Sequence, residues 1–423
     1  MPKMRPGSQK NVLILLENQV FIADPRVKNE GIALRDAGWD VHVICPQFSE
    51  EVRRLRARSS DWAKGTEGIH VHDYPVSMAV GSNMGILKEY VLSICHIAKI
   101  AFPLWRKHRF AVIHLCNPPD YLFAIALFFK LRGSKIVFDH HDLFPEMLSL
   151  RMHGLVRFFA TRIALLLEYL TFRTSNFVLS TNESYKEIAV RRGHVPPEHV
   201  YVVRNGPVLA RFVPMPPDPK WKEGFKYMAC YAGVMNQEDG VLELIDAIRH
   251  IVFDIGRKDI MFYLLGNGGM LDAVVKRVED YGLADRVKAP GLIVNSAIFR
   301  SYLSTADVLL APELPNPLND KSTFIKVAEY MAIGKPIVAY NLKESRYTAG
   351  DAAVYATPGD TKGYAELIVS LLDDPARSAR MGAVGQREVA ARFSWEKQRE
   401  VLVTAYEAAL DGRRSFLASK RKT

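Results

Sequence analysis

Along most of the chain, short runs of β-branched and aliphatic residues alternate with longer stretches that repeat their apolar positions every three or four residues. The short runs Val12–Leu16, Val41–Cys45, Ile69–Asp73, Val112–Leu115, Ile136–Asp139, Phe177–Ser180 and Val200–Val203 predict strands. Helical patterns separate most of them, which is the rhythm of βαβ units and a mainly parallel, doubly wound sheet. The rhythm then stops: residues 206–224 hold five prolines and little periodicity, a linker pattern. A second series follows, with strands predicted at Tyr227–Ala232, Ile260–Leu265, Val287–Ala289, Val308–Ala311 and Pro336–Tyr340.

The pattern thus predicts an α/β chain of two Rossmann-like doubly wound domains, residues 1–205 and 206–393. A helix over 394–411 is expected to return to the first domain, and a basic tail occupies 412–423. Ligands of such sheets bind beyond the carboxyl ends of the strands, so a cleft between two facing sheets is the expected site.

Composition narrows the picture. A chain of 423 residues, 48% of them hydrophobic, has room for two full cores. Its net charge of +10 points to an anionic partner. Cys45, Cys95, Cys116 and Cys230 have no paired or zinc-like spacing, which fits a reducing cytoplasm. Val12–Leu16 runs into Glu17, Asn18 and Gln19, too short for a signal-peptide core, and no apolar run reaches bilayer length. Two segments, 86–108 and 151–173, are apolar, aromatic and basic. They read either as core helices with solvated basic faces or as a surface resting on anionic lipid, with Arg106, Lys107, Arg109, Arg151, Arg157 and Arg162 supplying charge.

Candidate chemistry gathers at strand ends. "LLGNGG", Leu264 to Gly269, is an incomplete dinucleotide fingerprint without the ribose-gripping acid downstream, so it reads as a packing turn. "CYAGVMNQEDG" ends the first strand of the second domain, where backbone N–H groups near Gly233 are placed to approach phosphate. In "VFDHHDLFPE", four potential metal ligands follow one another from Asp139 to Asp142. Alternating strand residues face opposite ways, so metal convergence is the weaker reading. One histidine of the pair reads as structural and the other, with Asp142, as polar or catalytic. His114, near the end of the preceding strand, joins His141 as a site candidate.

In "NDKSTFIKVAEYMAIGKP", Phe324, Val327, Ala328 and Met331 form an apolar helix face, with Lys326 and Glu329 opposite. The bland reading is a solvated face with a weak salt bridge. The alternative is a helix end that holds an anion, with Lys321, Lys326 and, from the hinge, Arg204 as cations, and Ser322 and Thr323 as cap or phosphate hydroxyls.

Together these motifs resemble the family 4 nucleotide-sugar-dependent glycosyltransferases of GT-B fold, over about residues 11–410. The resemblance runs through "DPRVKNEGIALRDAGWDVHVI", "HHDLFPE", the hinge "VYVVRNGPVLARF" with its Asn205-Gly206 turn, "KVAEYMAIGKPIVA", "GDAAVYATPGD" and "FSWEKQREVLVTAYEAAL". It implies sugar transfer from a nucleotide diphosphate sugar to a sugar or lipid-linked acceptor, with retention at the anomeric carbon. It also implies no metal and no cofactor beyond that co-substrate, and no Asp-X-Asp occurs in the sequence. By this resemblance Glu329 grips the donor ribose, His141 and Asp142 lie near the transferred sugar, and Arg204, Asn205 and Gly233 belong to the donor side. The family's first glutamate falls at Lys321, and its usual cations fall near Val234 and Asp239. Lys321 and Lys326 are the expected substitutes, because a leaving diphosphate without metal needs cations.

The implied role is a cytoplasmic enzyme of envelope polysaccharide or glycolipid assembly, peripheral on the inner face of the plasma membrane. A nonhydrolysing nucleotide-sugar epimerase of the same fold is the alternative. A metal-dependent phosphoesterase lacks its other Asp-rich motifs. Nucleic-acid binding is not expected, since the basic residues are scattered and form no recognised motif.

Overall fold

The computed structural model describes residues 10–47, 64–75 and 83–411, of which 83–88 and 411 as backbone only. The basic tail lies outside the described residues. The chain divides into two compact units, Met1–Arg204 with Arg399–Thr423, and Asn205–Gln398.

In the first unit the strands are β1 (Asn11–Leu15), β2 (Asp40–Pro46), β3 (His70–Tyr74), β4 (Val112–Cys116), β5 (Lys135–His140), β6 (Phe177–Ser180) and β7 (Val200–Val202). They form one parallel sheet in the order β3-β2-β1-β4-β5-β6-β7. A parallel sheet is covered on both faces, so its central strands read as unbroken apolar runs. Every residue of β1 is buried. On one face Leu13, Leu15, Ile113, Leu115, Ile136 and Phe138 pack against Ile97, Ala101, Trp105, Phe129 and Phe172 from the helices. The order reverses between β1 and β4, which sets the switch point of this sheet beside the loop that follows β4.

The helix Pro25–Asp36 starts on two local signals. The Asp24 carboxylate accepts from the Arg26 and Val27 backbone N–H groups, and Pro25 takes the first helical position. The final helix, Trp395–Asp411, buries Leu402, Ala405, Tyr406 and Ala409 along one face, and Tyr406 meets Trp39 edge to face at 5.1 Å.

In the second unit β8 (Tyr227–Ala232), β9 (Ile260–Leu265), β10 (Val287–Gly291), β11 (Val308–Ala311), β12 (Ile337–Tyr340) and β13 (Ala353–Ala356) form a parallel sheet ordered β10-β9-β8-β11-β12-β13. Alternate residues of β8 feed two separate cores, Ala229 and Tyr231 on one face and Met228, Cys230 and Ala232 on the other. Here the order reverses between β8 and β11. The loop after β8 therefore lies beside the loop after β11, at the place where such sheets hold ligands.

All twelve predicted strands occur, with ends shifted by at most two residues. Among the described residues β13 is the one added: its sequence, Ala-Val-Tyr-Ala, has little strand propensity of its own, and it forms by pairing with β12.

Candidate active site

The first unit gathers a buried polar cluster beyond β4 and β5. Arg26 enters from the second position of its helix and grips the Asp139 carboxylate, with Nε 3.0 Å and 2.9 Å from the two oxygens and Nη2 2.6 Å from Oδ1. Its Nη1 donates to the Val203 carbonyl at 2.8 Å. Asp139 in turn holds His141, whose Nδ1 lies 2.7 Å from Oδ2. Burial alone would raise the Asp139 pKa, but Arg26 and His141 hold it well below the usual carboxylate range. Burial alone would lower His141, but the adjoining carboxylate raises it to about 9. The ring is therefore an imidazolium at neutral pH, with one edge fixed by Asp139.

The loop that carries His141 is pinned from β4's end. The Asn117 side-chain oxygen accepts from the His141 and Asp142 backbone N–H groups at 2.8 and 3.1 Å, and its amide donates to the Asp142 carbonyl at 2.8 Å. Asp142 is half-buried, and burial raises its carboxyl pKa. His140 faces the other way, enclosed by Phe138, Phe172 and Tyr185, with Nε2 3.6 Å from Glu168. The alternation inferred from the sequence therefore separates the two histidines, one structural and one at the site.

His114 corrects the sequence reading. It sits in the middle of β4 and not at its end, wholly buried, with Nδ1 2.5 Å from the Tyr406 hydroxyl and Nε2 3.6 Å from Glu30. A ring enclosed in this way touches no substrate; it supports the cluster from behind. Glu30, one turn after Arg26 and 3.1 Å from its Nη2, is pushed up to about 7 by burial, against the pull of Arg26. His114, Cys116 and Asp139 bring ligand atoms within 4.8 Å of one another. They do not fit a metal, because Arg26 already occupies the Asp139 carboxylate and burial keeps the Cys116 thiol protonated.

The second unit builds its site at the β8/β11 switch point. Lys326 projects from the helix Ile325–Ile333 to the Glu313 carboxylate, 2.5 Å away, and to the Tyr231 hydroxyl, 3.1 Å away. Its Nζ also reaches Gly233: a Cβ there would lie 2.6 Å from it, so a larger residue would displace the ammonium. Burial would lower the Lys326 pKa, but Glu313 raises it, and the ammonium stays charged. Asp239, at the end of the same loop, is pushed up to about 6 by burial, against Lys326. Glu329 is half-buried, one helical turn beyond Lys326. Burial raises it to about 7, and its carboxylate takes no hydrogen bond from any described residue.

Two expectations for this helix change. The Lys326 and Glu329 side is not a solvated face: Lys326 is 10% exposed and its partner is Glu313, not Glu329. Ser322 and Thr323 do not cap the helix. Phe324 stands at the N-cap without a side-chain bond, and the Ser322 hydroxyl donates to the Leu318 carbonyl. Lys321 and Thr323 are half-buried on the turn before the helix. Arg204 is 6% exposed and Asn205 half-buried at the hinge. "LLGNGG" is the packing turn expected. Gly266 and Gly268, both at positive φ, lie so close to the Gly233 and Met235 carbonyls that a Cβ would collide.

Sequence reasoning missed Arg26, Glu30, Asn117, Glu313 and Tyr406. Arg26 and Glu30 carried a signal, since a charged i, i+4 pair follows directly on an Asp-Pro helix start. Glu313 and Tyr406 carried none, because their partners lie 13 and 292 positions away.

Comparison with known proteins decides the family. Residues 25–206 match the family model for a glycosyl transferase 4-like domain, and residues 226–374 match that of glycosyl transferases group 1. The chain belongs to the family 4 glycosyltransferases. Over 94% of its length it is 20% identical to a chitobiosyldiphosphodolichol beta-mannosyltransferase of Candida glabrata, 91% of which is covered. Among solved structures, the sucrose-phosphate synthase of Thermosynechococcus elongatus superposes with a TM-score of 0.74 at 17% identity, over 96% of this chain and all of that one. Anabaena HepE, solved with UDP-glucose, gives 0.68 at 16% identity, over 94% of this chain and 99% of its own. The fold of this glycosyltransferase is GT-B, and its activity is transfer from a nucleotide sugar.

Proposed function

We propose that this glycosyltransferase moves a sugar from a nucleotide diphosphate sugar to a lipid-linked or polysaccharide acceptor, with retention and without metal. The observation that carries the donor half is Lys326 lying against Gly233 at the β8/β11 switch point, with Glu329 one turn further along the same helix. A bare glycine backbone lets a phosphate approach, a buried ammonium offsets its charge, and a carboxylate with no internal partner accepts from ribose hydroxyls. As the glycosidic bond breaks, negative charge grows on the departing phosphate, and Lys326 stabilises that growth without reorganising. The role proposed for His141, fixed through Asp139 and Arg26, is to orient a hydroxyl of the transferred sugar, and the departing phosphate itself serves as base.

The proposed location is the cytoplasmic face of a membrane rich in anionic lipid. Among the described residues no helix is long and apolar enough to cross a membrane. The helix Gly154–Thr174, however, leaves Leu155, Phe158, Phe159, Ile163 and Leu166 exposed at helical spacing, while Ala164, Glu168 and Phe172 face inward. Exposed Arg162 lies within that stripe, its guanidinium over the Phe158 ring, and Arg157 is exposed in the first turn of the same helix. This pairing of apolar and cationic groups suits an anionic bilayer, not a neutral partner. The helix Asn83–His108 supports the packed reading instead, since Ile97, Ala101 and Trp105 turn to the core.

Calorimetric titration with UDP-, GDP- and dTDP-sugars tests the donor reading, and failure of all to bind would refute it. Products formed from donor alone would indicate the epimerase. The anomeric configuration of the transferred sugar, read by NMR, tests retention.

A further inference from the structure

At the amino ends of β2 and β3, opposite the strand ends that carry the sites above, lies a cluster of imidazoles that the transfer reaction does not use. His42 and His70 are direct partners across the β2–β3 pairing, and His72 follows His70 on the same face. His108, the last residue of its helix, closes the group, with its ring centroid 4.4 Å from that of His42. Asp40 sits among them. Its Oδ1 is 3.4 Å from His42 Nε2 and 3.5 Å from His70 Nε2, and its Oδ2 is 3.9 Å from His108 Nδ1.

We propose that Asp40, His42 and His70, with His108 as fourth donor, bind a divalent transition metal of the zinc class. Tetrahedral zinc with metal–ligand bonds of 2.0–2.1 Å separates its ligand atoms by about 3.4 Å, and Asp40 Oδ1 lies 3.4 and 3.5 Å from the His42 and His70 nitrogens. The orientation of His42 is also that of a ligand. Its side chain is 4% exposed, and its Nδ1 lies 3.0 Å from His72 Nε2. In the tautomer that donates from Nδ1 to His72, the Nε2 lone pair faces the Asp40 carboxylate, and that Nε2 has no hydrogen-bond partner. Two electron-pair donors thus face each other across the ligand–ligand separation that zinc requires. His70 and Asp40 are 58% and 46% exposed, which gives an ion its way in. Nitrogen-rich donors with one carboxylate favour zinc over magnesium or calcium. Bound there, the ion ties edge strand β3 to β2 and to the end of the helix Asn83–His108, away from the chemistry of transfer.

The test is Zn²⁺ binding to the full chain, measured by competition with a chromophoric chelator, with Co²⁺ absorption as a report of geometry. Expected are one saturable Zn²⁺ per chain, a tetrahedral Co²⁺ spectrum and a higher melting temperature with Zn²⁺. His70→Gln and Asp40→Asn, both at exposed positions that the fold does not need, abolish the Co²⁺ spectrum. His72→Phe, which removes only the orienting partner, weakens binding by about 10–100-fold. His250→Gln, in the other unit beside Asp254, changes nothing. Absence of saturable Zn²⁺ binding, or equal affinity in wild type, His70→Gln and Asp40→Asn, overturns the proposal.

Discussion

The ammonium of Lys326 lies 2.5 Å from the carboxylate of Glu313, thirteen residues earlier in the chain, and both side chains are at least nine-tenths buried. The lysine that the sequence offers as a diphosphate cation is therefore already compensated before a nucleotide arrives. A buried pair of this kind is weak evidence for stability, because desolvation of both ions offsets most of their attraction. Its value is in placement: Glu313 and Tyr231 hold the ammonium against Gly233 at the end of β8.

Glu313→Gln keeps the shape and removes the competing charge. Nucleoside diphosphate affinity is expected to rise, because Lys326 no longer divides its charge between two anions. The unliganded protein is expected to melt lower, since an uncompensated buried charge costs about 3–5 kcal/mol. Saturating nucleotide should restore part of that loss. Calorimetry and melting curves check both directions, and unchanged affinity would make Lys326 a structural residue only.

Glu329 gives a pH test of the donor site. Its carboxylate accepts from ribose only when ionised, and burial raises it to about 7. Nucleotide affinity should therefore increase as pH rises through 7 and then level off. Glu329→Gln should abolish that dependence and weaken binding about tenfold, the equivalent of a lost charged hydrogen bond of roughly 1.5–3 kcal/mol. Identical pH profiles in wild type and variant would remove Glu329 from the ribose contact.

The frame of the molecule was legible because parallel strands are buried on both faces and announce themselves as apolar runs, as Val12–Leu15 and Ile260–Leu265 do. β13 was not, since two of its four residues are alanine and its neighbour β12 decides its conformation. For the sites, strand alternation sorted His140 from His141. What the sequence withheld were partners that meet only after folding. His114 looked like a strand-end catalyst until Tyr406 came to lie against it from the final helix. Lys326 read as a partner of Glu329 or of an anionic ligand until the β11 loop brought up Glu313.

His141 ties stability to pH. Its folded pKa, about 9, is raised above its ordinary value of 6.5. A histidine raised by folding contributes stability that is fully present below 6.5 and lost as pH climbs through 9, at most about 3 kcal/mol here. Melting temperature should fall across that window in wild type and fall less in His141→Gln. The same variant should lower the transfer rate while leaving nucleotide affinity nearly intact, because Gly233, Lys326 and Glu329 belong to the other unit. Full turnover in His141→Gln would take the residue out of the reaction.

The exposed stripe on the helix Gly154–Thr174 makes the last prediction, and it separates two forces. Leu155 is 77% and Phe159 61% exposed, so replacing both with serine leaves the core intact. Burying a large apolar side chain in the interface contributes roughly 1.5–3 kcal/mol. Leu155→Ser with Phe159→Ser should therefore reduce vesicle binding at every salt concentration. Arg157 and Arg162 act through charge, about 1 kcal/mol each near an anionic surface, and salt screens them. Arg157→Gln with Arg162→Gln should weaken binding at low salt, flatten its salt dependence and leave the weak affinity for neutral vesicles unchanged. Sedimentation with vesicles of graded anionic lipid content measures both. Equal partition of wild type onto neutral and anionic vesicles would refute the electrostatic half. An undiminished affinity in the serine variant would mean that this stripe meets something other than lipid.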